Sequence, residues 1–247
     1  KIKFMKTYGL IGKNIDYSFS RSFFKKKFEL EKLNCEYKNF DIDIVDKFPS
    51  ILKINKKIDG LNVTIPYKET IIPFLDEIDF EAQKIGAVNT IKIKNNKLIG
   101  YNTDHYGFTK TLTPYLNKNH NSALILGTGG ASKAANFALN KLKIRSQFVS
   151  RDPKFTKHIS YNCLTKDIIK NNTIIINCTP IGTYPNIKDS PDIPYKHITQ
   201  DHILFDLIYN PVQTKFLEKG FQAKAQTING LRMLELQAEK SWEIWNK

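Results

Sequence analysis

The chain has 247 residues, 41% of them apolar, which suffices for one large domain or two modest ones with real cores. Its formal net charge of +14 rests almost wholly on lysines spread along the chain rather than clustered with aromatics; this speaks against a dedicated nucleic-acid surface and fits attraction of an anionic cofactor and an acidic metabolite. Cys35, Cys163 and Cys178 make neither a disulfide framework nor a zinc pattern, the five histidines lack metal-ligand spacing, and no run is long enough for a membrane span or a signal core, so we expect a metal-free protein of the reducing cytoplasm.

The first hundred residues alternate strand and helix patterns. Thr7–Gly12 reads as a strand, Arg21–Leu33 as a helix and Cys35–Ile42 as an alternating strand. A helix near Val45–Ile54 follows, then a strand from Gly60 that Pro66 stops. Thr70–Leu75 and Phe80–Ile85 are helical pieces. Val88–Ile93 and Lys97–Tyr101 form a hairpin over Asn95-Asn96, and Asp104 opens a helix through Leu112.

Residues 123–135 carry the most specific local signal. The apolar strand Ala123–Leu126 runs into Gly127-Thr128-Gly129-Gly130 and then into a small-residue helix starting near Ala131. Gly127 lets the chain turn sharply out of the strand. Gly129 and Gly130 let backbone N–H groups approach phosphate oxygens, and the helix aims its positive end at the anion. The bland alternative is an ordinary strand-turn-helix without a ligand.

The next strand, Ile144–Arg151, ends in Ser150-Arg151. An arginine there suits the 2′-phosphate of NADP, whereas Asp152 beside it suits the 2′-hydroxyl of NAD. Further strands are Thr173–Asn177, His202–Leu207 and Gln226–Thr227. Leu231–Trp245 is helical, too short for a domain, and packs on one of the two units. Strands alternating with helices imply parallel sheets that bind ligands at their carboxyl ends.

Polar residues gather at strand ends and turns: Ser18 and Ser20, Asn62, Thr64 and Lys68, Asn89-Thr90, and Asn102-Thr103-Asp104. Each alone is ordinary turn chemistry. Together the order is distinctive. Asn62-Val-Thr-Ile-Pro-Tyr-Lys68, Gly86-Ala-Val-Asn-Thr90, Gly100-Tyr-Asn-Thr-Asp104, Gly127-Thr-Gly-Gly-Ala-Ser132, Asn177-Cys-Thr-Pro-Ile-Gly182, Asp206-Leu-Ile-Tyr-Asn-Pro211 and Asn229-Gly-Leu-Arg-Met-Leu234, followed by Gln237-Ala238, succeed one another as in shikimate dehydrogenases. The resemblance spans nearly the whole chain.

That resemblance implies a two-domain α/β fold. Residues 1–103 with 231–247 would form the substrate-binding catalytic domain on a mainly parallel sheet. Residues 104–230 would form a Rossmann-like NADP-binding domain, with the C-terminal helix returning to the first. It implies reversible NADPH-dependent reduction of 3-dehydroshikimate to shikimate, with Lys68 and Asp104 as the catalytic pair. Ser18, Ser20, Asn62, Thr64, Asn89, Tyr209 and Gln237 would complete the substrate set. Gly127, Gly129, Gly130, Ala131, Ser150, Arg151, Lys154, Thr179 and Gly230 would hold the cofactor, without a metal.

The chain departs from the family pattern at Tyr17, Arg21, Thr183, Asp152 and Phe155. Both carboxylate-loop serines are present, which favours shikimate over a dual quinate/shikimate enzyme. Retention of Lys68 and Asp104 argues against a silent NADP-binding sensor. The implied partner is a small molecule, with no nucleic acid and no membrane, and the chain would act as a monomer or homodimer.

Overall fold

Residues 5–16, 18–55, 57–153 and 158–247 are described by the computed structural model. The chain divides into two compact units, Lys1–Asp104 with Glu235–Lys247, and His105–Leu234.

In chain order the first unit contains β1 (Lys6–Gly12), α1 (Phe19–Leu30), β2 (Cys35–Asp41), α2 (Phe48–Ile54), β3 (Ile58–Val63), β4 (Glu77–Ile78), α3 (Phe80–Ile85), β5 (Thr90–Lys94) and β6 (Lys97–Tyr101). The sheet order is β2-β1-β3-β5-β6-β4. Pairings β1–β2, β1–β3 and β4–β6 are parallel; β3–β5 and β5–β6 are antiparallel. The antiparallel β5–β6 pairing follows from the tight connection at Asn95-Asn96, both in the left-handed region that Asn tolerates. Helix α1 stops at Leu30 rather than Leu33 because Lys32 turns to positive φ. The helix expected from Val45 starts as a single 3-10 turn at Val45–Lys47, with Pro49 in the first turn of α2. Only a 3-10 turn at Ile72–Phe74 replaces the helical piece expected over Thr70–Leu75.

Apolar layers cover both faces of this sheet. Ile11, Phe48, Leu61, Val63, Ile71 and Ile91 share one buried cluster. Tyr8, Phe24, Phe28, Ala238 and Trp245 form the other. Trp245 donates its indole N–H to the Ile91 carbonyl at 3.0 Å, which docks the chain's last helix on the sheet.

The second unit follows with α4 (Asp104–Leu112), β7 (Ser122–Leu126), α5 (Gly130–Lys141), β8 (Arg145–Ser150), β9 (His158–Ser160), α6 (Lys166–Asn171), β10 (Ile174–Asn177), β11 (Ile203–Asp206), α7 (Lys215–Gln222), β12 (Gln226–Ile228) and the start of α8 (Leu231–Asn246). Its sheet order is β12-β11-β10-β7-β8-β9, with every pairing parallel. Strands β7, β10 and β11 are buried on both faces, as a sheet flanked by helices on each side requires. The strand sequence reverses between β7 and β10, the position where doubly wound sheets open a ligand crevice. The units divide at 104/105 and 234/235; Met233, in the first turn of α8, belongs to the second unit's core.

Candidate functional site

Lys68 lies on the loop after β3. The neighbouring Tyr67 is buried and anchors that loop by donating its hydroxyl to the Ile42 carbonyl at 2.7 Å. From the other side, the Val88 amide donates to the Lys68 carbonyl at 2.7 Å. Asp104 is the first residue of α4, where the helix N-terminus favours a carboxylate. The Lys68 ammonium donates to Asp104 Oδ2 at 2.5 Å, with Lys68 partly and Asp104 almost wholly withdrawn from solvent.

The other oxygen of Asp104 is held by Asn89, whose Nδ2 donates to Oδ1 at 2.9 Å. Backbone chemistry fixes which way this amide points. The Thr103 N–H donates to Asn89 Oδ1 at 2.7 Å, so Nδ2 must face Asp104 and the Gln237 oxygen. Asn62 is oriented by the same logic. Its Nδ2 donates to the Asn89 carbonyl at 3.2 Å and to Ser241 Oγ at 3.0 Å. Its Oδ1 accepts the Tyr37 hydroxyl at 2.8 Å. Ser241 donates to the Gln237 carbonyl at 2.9 Å and sits 2.8 Å from Thr90 Oγ1 and 3.2 Å from Thr103 Oγ1. Desolvation pushes the Tyr37 phenol well above the ordinary tyrosine range. All these groups lie in the first unit, and a buried polar network is stable when its members are mutually satisfied, as here.

Lys68, Asn62, Asn89, Asp104 and Gln237 are therefore joined by one set of hydrogen bonds, and Ser20 lies in the first turn of α1. Ser18 occupies the N-cap position of α1 without a capping side-chain bond, and Thr64 is half-buried just after β3. Tyr209 lies in the second unit, half-buried after β11. Four members of the network had no expected role: Thr90 and Thr103, which stand among the polar residues at strand ends, and Tyr37 and Ser241, which the sequence did not single out. Thr90 and Thr103 lie inside the quoted motifs. Ser241 follows Gln237 by four residues and so shares its helix face, which was a readable signal.

The expected cofactor residues gather at the carboxyl ends of adjacent strands. Gly127, Gly129, Gly130 and Ala131 follow β7, Ser150 and Arg151 end β8, and Thr179 follows β10. Lys154 lies outside the described residues. Gly127 has φ +103, which a residue with a Cβ adopts only under strain, whereas a Cβ on Gly129 would meet nothing within 4 Å. Helix α5 has no side-chain N-cap bond and no acidic residue in its first turn. Ser132 Oγ, in that turn, is buried without a hydrogen-bond partner. Open space before an uncapped helix start fits a nucleotide pyrophosphate.

Thr179 is held by its neighbours: its hydroxyl donates to Asn177 Oδ1 at 2.7 Å, while Asn177 Nδ2 donates to Asp206 at 3.1 Å. Burial raises Asp206 from 3.8 to about 6, against the pull of bonds from Thr214, the Ile208 amide and Asn177. Gly230 packs against backbone; a Cβ there would lie 2.2 Å from the Leu207 carbonyl oxygen. Among the described residues no cluster of His, Cys, Asp and Glu could hold a metal ion, and no helix is long and apolar enough to cross a membrane.

The shikimate dehydrogenase substrate binding domain model matches residues 10–91. A shikimate dehydrogenase (NADP(+)) of Methanococcus maripaludis is 42% identical, covering 97% of this chain and 91% of its own length. The crystal structure of shikimate dehydrogenase 1 from Peptoclostridium difficile superposes with a TM-score of 0.86 at 42% identity, covering 98% of this chain and 92% of that one. Shikimate 5-dehydrogenase from Thermus thermophilus, solved with NADP(H) and shikimate, gives a TM-score of 0.87 at 27% identity, over 98% and 93% of the two chains. With that identity over nearly its full length, and with the paired lysine and aspartate in place, this chain belongs to the shikimate dehydrogenase family.

Proposed function

We propose that this chain catalyses the reversible NADPH-dependent reduction of 3-dehydroshikimate to shikimate, with Lys68 and Asp104 as its catalytic pair. The observation that carries this reading is the Lys68–Asp104 contact at 2.5 Å, held on its second carboxylate oxygen by Asn89. Bound NADPH supplies the hydride. As the ketone carbon gains it, negative charge develops on the oxygen. The Lys68 ammonium stabilises that charge and delivers the proton that completes the alcohol. Asp104 keeps the ammonium aimed, and Asn89 keeps Asp104 from rotating away. In the reverse direction the Lys68 amine would take the alcohol proton.

Ser18 and Ser20 bind the substrate carboxylate in this reading, while Asn62, Thr64, Asn89, Tyr209 and Gln237 serve its carboxylate and hydroxyls. The glycine turn after β7 holds the pyrophosphate, and Arg151 receives the 2′-phosphate as a bidentate donor. The test is absorbance at the reduced-nicotinamide band with shikimate or quinate crossed against NADP or NAD. The reading expects shikimate with NADP to be the fastest combination. Faster turnover of quinate would replace the substrate assignment, and faster turnover with NAD would replace the cofactor assignment.

A further inference from the structure

We propose that Tyr37, on β2, is a positioning residue of this dehydrogenase: its hydroxyl fixes Asn62 in the orientation that receives substrate. The inference rests on the substrate role of Asn62 given above, and it assigns a part to a strand that contributes no expected site residue.

The hydrogen-bond polarity is what singles out Tyr37. Asn62 Nδ2 is committed to acceptors, the Asn89 carbonyl and Ser241 Oγ. Ser241 can only accept there, because its own proton lies on the Gln237 carbonyl. Asn62 Oδ1 therefore needs a donor, and the Tyr37 hydroxyl supplies it at 2.8 Å. Tyr37 thus ties β2 to the amide network that ends at Asp104 and Lys68. Its ring is rigidly seated, stacked on Phe24 with centroids 4.7 Å apart. Desolvation keeps this phenol protonated, so it retains its donor role.

Tyr37→Phe removes one oxygen and retains the stack. Without the hydroxyl, Asn62 Oδ1 loses its donor. Loss of one buried hydrogen bond of this kind corresponds to roughly a tenfold weakening. We expect the KM for shikimate to rise about tenfold, in line with that loss, with kcat and the KM for NADP close to wild type. A role confined to folding would lower the melting temperature and the active fraction but leave the shikimate KM unmoved.

The second arm is a double-mutant cycle with Asn62→Ala. If Tyr37 acts through Asn62, the effect of Tyr37→Phe shrinks in the Asn62→Ala background; an undiminished effect overturns the coupling. Should Tyr37→Phe fail to fold, 3-fluorotyrosine at position 37 keeps the hydroxyl while changing its donor strength, and must shift the shikimate KM selectively. An unchanged shikimate KM in the tested variant overturns the proposal, as does a parallel rise in the NADP KM. Failure of the wild-type chain to turn over shikimate would instead overturn the functional reading, so the two failures are distinguishable.

Discussion

The two units handle polar groups in opposite ways. In the first, side chains from β2, β3, β5, the Thr103-Asp104 corner and α8 converge in one hydrogen-bond network. In the second, the expected ligand contacts at the β7–α5 turn come from backbone N–H groups, and what matters is the absence of a side chain. Chemistry on a ketone needs a proton donor of fixed position, which only a side chain supplies. A pyrophosphate needs several N–H donors at close range, which a glycine turn and a helix start supply best.

Lys68→Ala breaks the first half of this comparison most severely. Turnover should fall about 10²–10⁴-fold, the usual contribution of a general acid–base group, with NADP affinity nearly unchanged. Steady-state kinetics with cofactor titration checks both. Turnover within about threefold of wild type would remove Lys68 from the chemistry, since it would fall short of that range.

Asp206 sharpens the second half, because there a buried carboxyl serves scaffold rather than chemistry. Its value is raised from 3.8 to about 6 in the native state, so the folded chain holds this proton more tightly than the unfolded one. The favourable contribution is complete below pH 4 or so and is lost as pH rises through about 6. The span corresponds to roughly 3 kcal/mol. Denaturation of wild type and Asp206→Asn across pH 4 to 7 should show this falling component in wild type alone. Parallel curves would mean that the carboxyl titrates near its ordinary value.

Arg151 is the side chain that departs from the backbone rule of its unit. Arg151→Ala should weaken NADP by about 10- to 150-fold and NAD far less, since NAD carries no 2′-phosphate. Equal losses would assign Arg151 to loop support. In Asp152→Thr, a marked gain in NADP affinity would show that Asp152 faces the phosphate, and no gain would show that it faces away.

The smallest effect tests the glycine rule itself. Gly129 has ordinary backbone and open space around its missing Cβ, so Gly129→Ala should fold with an unchanged melting temperature. Its NADP affinity should fall several-fold, roughly the loss of one hydrogen bond, because the methyl occupies the approach to the phosphates. Unchanged affinity would place the pyrophosphate elsewhere.

Much of this molecule was legible because its signals are local. Strand β7, the glycine turn and α5 lie within twenty residues, and burial on both faces of a parallel sheet leaves a continuous apolar run. The hairpin turned at Asn95-Asn96, where expected, for the same reason: left-handed backbone at both positions is a property of those two residues. Strands β4 and β9 went unread. They contain two and three residues at the sheet edges, too few for a period to show.

By itself the sequence determined the alternation of strands and helices, the nucleotide turn, and which polar residues stand at strand ends. Only the tertiary structure decided which of them share hydrogen bonds. Asn62 and Ser241 are 179 residues apart and Asn89 and Gln237 are 148 apart, yet each pair is bonded. Tyr37 looked like one more aromatic on an alternating strand until β2, β1 and β3 lay side by side and placed its hydroxyl on Asn62. Pairing across such separations is set by how whole layers pack, and no window of sequence contains it.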